Sequence, residues 1–371
     1  MLFLAPLALC TVIAAPLLLR TGEFLPANMV AWMQTGERQF LYLPRFTDHT
    51  FALKLEATRL RQPDVVAIGS SRSNQWRSAM YQPLDFYNAG GPFYAISDFV
   101  AALEAWDGHP PRVMIMTLDY FMFIREFQAV AAASSKDSEL SKREWAQALK
   151  GLAALAIREP DKFIPNQHEP IYGLPALGMQ AITSGTGFRM DGSFQYGNVM
   201  LDYPRSNIEH AIAGITNGGA WPLQPGDEML PSLMREFERF VALARERNIA
   251  LIAVTPPLDP AILAALRNSP YHEAFRQFHS PQTAEWLKKL GINYHDFTDL
   301  RSIDGRADEF VDPYHPSEPA YVRMLLKLME DPLVSALLPG LDPDQLKSAL
   351  DRSTRLEVYR NTFAGSASAE P

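Results

Sequence analysis

Asp64-Val65-Val66-Ala67-Ile68-Gly69-Ser70-Ser71-Arg72 decides the fold. A continuous apolar run gives way to a turn of small residues, the pattern of a strand buried on both faces that ends in a tight loop. Asp85 to Gly91 (DFYNAGG) and Arg112 to Leu118 (RVMIMTL) read as the next strands, with Ser97 to Trp106 helical between them. Asn248 to Val254 (NIALIAV) repeats the pattern, preceded by an amphipathic helix from Leu230 to Arg247 and stopped by Pro256-Pro257. Gly291 to Phe297 (GINYHDF) is the last strand, after a helix around Gln282 to Lys289. Strands alternating with helices predict an α/β architecture, a doubly wound parallel sheet of about five strands covered on both faces.

The 371 residues, 47% apolar and 20% charged, suit a large core and exclude a disordered or fibrous chain. A formal charge of -8 argues against a basic surface that tracks phosphates, and so against nucleic acid as a partner. The one cysteine, Cys10, rules out an intrachain disulfide and leaves the compartment open.

Leu2 to Leu19 (LFLAPLALCTVIAAPLLL) is uncharged and reaches the roughly 20 apolar residues that span a bilayer core. A signal anchor over residues 1–20 is the preferred reading, because Pro6 and Pro16 are tolerated better in membrane helices than in soluble ones. A signal peptide cleaved near Ala14-Ala15 and a buried helix are the alternatives. Residues 21–61 then read as a juxtamembrane segment and 62–337 as the α/β domain, interrupted by an insertion at 128–225. That insertion opens with a helix from Ser141 to Ile157, and within it Met190-Asp191-Gly192-Ser193 reads as a surface turn. Residues 338–371 hold a short helix capped by Asp342 and a Gly/Ser/Ala tail expected to be disordered.

Three turns carry groups that can do chemistry. Ser70 and Ser71 stand at the carboxyl edge of the sheet and at a helix N-terminus, where free N–H groups favour developing negative charge. Asp312 and His315, three apart in a proline-braced turn, can meet so that the carboxylate sets the imidazole tautomer. Tyr87-Asn88-Ala89-Gly90-Gly91-Pro92 lets the backbone approach a substrate closely. Separately, each has a plainer reading: an N-cap serine, a helix start with a capping Asp, a turn that ends a strand. His272 and His279 read as a solvated helix face rather than a metal site, and no zincin, paired CxxC or P-loop motif occurs. Trp76, Tyr94, Tyr120, Phe121 and Phe123 flank these turns and read mostly as core, with one or two available to stack on a sugar ring.

In their order, Gly-x-Ser after the first strand, Asn-x-Gly after the second and Asp-x-x-His after the last resemble the SGNH/GDSL hydrolase superfamily over about Asp64 to Met329. The resemblance implies a flavodoxin-like three-layer fold with Ser71 as nucleophile, His315 and Asp312 completing a triad, and the N–H of Gly90 or Gly91 joining that of Ser71 to hold an oxyanion. GSSR in place of GDS looks like a divergent, membrane-anchored branch associated with acylation of surface polymers. It implies a serine esterase or O-acyltransferase acting outside the cytoplasm on an acylated glycan or lipid-linked substrate, with no metal or organic cofactor. Where the family places an Asn after the third strand, this chain has Asp119. A carboxylate there repels an oxyanion unless it is protonated, turned away or replaced as donor by Asn88 or Asn74; a salt bridge to Arg72 would make both residues structural members of the site floor. That departure sustains a second reading, a non-catalytic domain of the same fold that binds glycan or scaffolds a membrane assembly.

Overall fold

The computed structural model describes residues 21–106, 108–128, 147, 150–151, 154–155, 157–159, 174–197, 205–219 and 223–359. The apolar run at 2–19 and the tail from 360 lie outside them, as does most of the expected helix from Ser141 to Ile157. Among the described residues no helix is long and apolar enough to cross a membrane.

The described strands are β1 (Leu41–Tyr42), β2 (Val65–Ile68), β3 (Phe86–Asn88), β4 (Val113–Thr117), β5 (Ala176–Leu177), β6 (Gly187–Phe188), β7 (Phe194–Gln195), β8 (Ala250–Thr255) and β9 (Asn293–Asp296). β2, β3, β4, β8 and β9 form one all-parallel sheet in the order β3-β2-β4-β8-β9, with Val65 opposite both Phe86 and Val113. This is an α/β fold whose chain direction along the sheet reverses next to β2, and open sheets of this kind bind ligands at such a switch point, beyond the carboxyl ends of the strands.

β2 and β4 are buried at every position, which accounts for their unbroken apolar sequence. Val65, Ala67, Val113, Ile115, Ile252 and Val254 share one face and pack against Tyr321, Leu325 and Leu328 of the helix Glu318–Met329. Their alternates must face the other side. There the helix Pro231–Glu246 packs on β8 and on the helix Ile96–Ala105, with the Phe99 and Phe240 rings 5.6 Å apart.

The chain divides into two compact units. One contains this sheet and the 191–193 turn; the other comprises the described residues among 21–60, 147–190 and 194–197. In the second unit β1 pairs parallel with β5 and antiparallel with β6, giving a small mixed sheet in the order β5-β1-β6-β7. The Glu23 carboxylate accepts the N–H groups of Arg45, Phe46 and Met179 at 2.9, 2.7 and 2.7 Å. Much of the segment 21–61, read from sequence as juxtamembrane, is folded.

The Met190–Ser193 turn departs from its surface reading, because Asp191 and Ser193 are buried. Gly192 has φ +77, and a Cβ there would lie 2.1 Å from the Asn88 carbonyl oxygen, so only glycine fits.

Candidate functional site

β2 ends in a single 3-10 turn, Ser71–Ser73, for which Ser70 is the N-cap, its hydroxyl accepting the Arg72 N–H at 3.3 Å. Ser71 is left half-buried at the carboxyl edge of the sheet. Far along the chain, Asp312 closes a turn of its own: Oδ1 accepts the N–H groups of Tyr314 at 2.8 Å and His315 at 2.9 Å. The Val311 N–H donates to the His315 carbonyl at 2.9 Å and pins the turn from outside.

The structure brings these two turns together. Ser71 Oγ lies 2.8 Å from His315 Nε2, and His315 Nδ1 lies 2.6 Å from Asp312 Oδ2. Burial pushes the Asp312 carboxyl up, but the His315 imidazole and the two backbone N–H groups hold it below the usual carboxylate range. An ionised Asp312 only accepts, so the His315 proton resides on Nδ1 and the Nε2 lone pair faces the Ser71 hydroxyl. The arrangement can draw a proton from Ser71 while Asp312 stabilises the imidazolium that results.

Asp119 follows β4 and forms a buried ion pair with Arg72, and it accepts the Ser70 hydroxyl at 3.2 Å. Arg72 Nη2 donates in addition to the carbonyls of Pro256 and Pro257, at 2.5 and 3.1 Å, just beyond β8. Burial raises the Asp119 carboxyl, while Arg72 and the Ser70 hydroxyl draw it back; the net direction is upward. Of the alternatives open for Asp119, the salt bridge to Arg72 is the one observed. Its carboxylate is engaged with Arg72 and Ser70 beneath the turn that carries Ser71.

The expected oxyanion donors are a different matter. The Gly90 N–H donates to Asn88 Oδ1 at 2.8 Å, and the Gly91 N–H donates to the Gly69 carbonyl at 2.9 Å. Asn88 Nδ2 donates to the carbonyls of Ser73 and Trp76, both at 2.9 Å. These three groups brace the serine loop against β3 in place of facing a substrate. Gly90 is required for space, since a Cβ there would stand 1.8 Å from Ser73 Oγ. Of the two asparagines weighed as replacements, Asn74 is buried, and among the described residues its Oδ1, an acceptor that cannot itself hold an oxyanion, has no hydrogen-bond partner.

Trp76, Tyr120, Phe121 and Phe123 are buried core residues and Tyr94 is half-buried. The histidines read as a solvated face are otherwise placed. His272 is buried, with Nδ1 2.8 Å from Ser269 Oγ and Nε2 3.0 Å from the Leu223 carbonyl oxygen. His279 pairs with Asp296, a contact that sequence spacing does not signal. Among the described residues no cluster of three or more His, Cys, Asp or Glu side chains could hold a metal ion. Comparison with protein-family models and with curated proteins yields no match to this chain.

Proposed function

We propose that this chain is an SGNH-like serine esterase or O-acyltransferase, tethered by its N-terminal apolar run and acting outside the cytoplasm on an acylated envelope glycan or lipid-linked substrate. The observation that carries this reading is the unbroken path from Ser71 Oγ through the His315 imidazole to the Asp312 carboxylate. His315 takes the Ser71 proton as Oγ attacks the ester carbonyl, and the imidazolium returns it to the departing alcohol. Water or a sugar hydroxyl then attacks the acyl-serine, passing its proton to His315 and from there to Ser71 Oγ. The direct test is a fluorophosphonate probe, which is expected to label the wild-type protein and not Ser71→Ala. Absence of labelling in a folded wild type sinks the proposal.

One observation favours a second reading, a non-catalytic glycan-binding or scaffolding domain. The N–H groups of Gly90 and Gly91 and the Asn88 amide are committed within the fold, so the family's usual means of stabilising an oxyanion is not displayed. The same probe separates the two readings.

Asp119→Asn is expected to lower unfolding stability by about 3 kcal/mol, because it leaves the buried Arg72 with neutral partners only. Turnover of an acyl ester per folded molecule should be similar or higher, since a negative charge leaves the neighbourhood of the developing oxyanion. Loss of all turnover in a normally folded Asp119→Asn protein would show that the carboxylate itself takes part.

The tether has its own test. If Leu2 to Leu19 spans the membrane and stays attached, the protein remains in the membrane fraction after high-salt and carbonate washes, because apolar insertion is not screened by ions. A soluble form with a new N-terminus near Ala15 would establish a cleaved signal instead.

A further inference from the structure

The carboxyl edge of the sheet carries a second histidine–aspartate pair. β9 ends at Asp296, whose Oδ2 lies 2.7 Å from Nδ1 of His279, the residue that closes the helix Glu273–Phe278. Asp296 Oδ1 accepts the Thr298 N–H at 2.9 Å. Burial pushes the Asp296 carboxyl up, but His279 and Thr298 hold it below its usual range, so it takes the Nδ1 proton's hydrogen bond and leaves the Nε2 lone pair free. At His315 that lone pair is occupied by Ser71; at His279 it meets no partner among the described residues, and the side chain is 15% exposed beside an Asp296 that is 36% exposed.

The pair shares a neighbourhood with the serine. The His279 ring lies 4.4 Å from that of Phe275, and Phe275 lies 5.4 Å from Tyr120, the residue after Asp119. The strand order β2-β4-β8-β9 separates the ends of β2 and β9 by three strand spacings, on the order of 14 Å. Between them run Arg72, Asp119 and the carbonyls of Pro256 and Pro257.

We propose that the His279–Asp296 pair is a hydroxyl-binding subsite for a polyhydroxylated chain whose acylated unit reacts at Ser71, so that the substrate is an oligosaccharide lying along the sheet edge and not a small ester. A separation of this size matches two or three sugar units, and an imidazole oriented by a carboxylate accepts a hydrogen bond from a sugar hydroxyl. The inference rests on the serine acyl-transfer reading for its direction, but its test does not need turnover. Calorimetric titration of Ser71→Ala with xylotetraose, cellotetraose and chitotetraose should show binding of at least one. Adding His279→Ala should weaken that binding about fivefold to tenfold, the worth of one hydrogen bond, and His279→Gln should recover part of it because its amide oxygen accepts. Failure of all three sugars to bind, or binding indifferent to His279→Ala and His279→Gln, overturns the subsite. Labelling of wild-type Ser71 without histidine-dependent sugar binding removes the subsite alone. Sugar binding that depends on His279 without Ser71 labelling removes the esterase and keeps the subsite.

Discussion

Ser71→Ala and His315→Ala should each lower turnover of p-nitrophenyl acetate by on the order of 10⁴- to 10⁶-fold, and the double variant should be scarcely worse than either single one. The reason lies in the shared proton. Ser71 Oγ is 2.8 Å from His315 Nε2, so the hydroxyl is a nucleophile only while the imidazole accepts, and the imidazole has work only while the hydroxyl is present. Asp312→Asn should also be severe, on the order of 10⁴-fold, because an amide donating to Nδ1 selects the tautomer that turns an N–H toward Ser71. Ser70→Ala makes the contrasting case. Its hydroxyl donates to Asp119 and accepts from the Arg72 N–H, so its removal loosens the turn without touching the proton path. Rates measured in single turnovers decide the matter: effects of Ser71→Ala and His315→Ala that multiply, or a Ser71→Ala protein that retains its rate, would show that the two residues do not act as one unit.

The sequence made visible those parts of this site that depend on short range. β2, β4 and β8 are buried on both faces, and burial of that kind leaves an unbroken apolar run that a reader can see. Their ends were less legible. Asn248 adopts φ +58 and belongs to the turn after the preceding helix, so β8 begins only at Ala250. Asp312 and His315 were legible because the carboxylate caps its own turn three residues away. Apart from the Ser71–His315 and Arg72–Asp119 pairings that the order of the motifs suggested, the arrangements in which the partner is remote were hidden. No spacing discloses that the Gly90 N–H turns inward to Asn88, or that Asp191, within an unremarkable turn, is the buried partner of Arg77 across 114 residues. Strands of two residues, such as β1 and β5, contain too little sequence for an alternating pattern.

Arg77→Met should lower the stability of the sheet-bearing unit by about 3–5 kcal/mol, a large share of what a domain has. Arg77 is fully buried between two carboxylates, paired with Glu318 and lying 3.3 Å from Asp191 through its Nε. Asp191 Oδ2 also accepts the N–H and hydroxyl of Ser78, at 3.0 and 3.1 Å, and Glu318 Oε2 accepts the N–H groups of Val358 and Tyr359, at 2.9 and 3.0 Å. One guanidinium thus ties the segment after the serine turn to the 191–193 turn, to the helix Glu318–Met329 and to the chain after the last helix. Methionine fills a similar volume but leaves both carboxylates buried without their cation. The charge, more than the packing, should account for the loss, which gives the prediction a discriminating arm. Arg77→Met combined with Asp191→Asn and Glu318→Gln removes all three charges and should be more stable than Arg77→Met alone, the reverse of what additive damage would give. Urea titration of the single and triple variants reads this directly. A triple variant less stable than the single one would mean that the carboxylates hold the fold through their hydrogen bonds to Ser78, Val358 and Tyr359, with Arg77 a minor partner. If the charge argument holds, the same single substitution should also slow fluorophosphonate labelling of Ser71, because Asn88 braces the carbonyls of Ser73 and Trp76 while its own N–H is held by the Asp191 carbonyl at 2.8 Å.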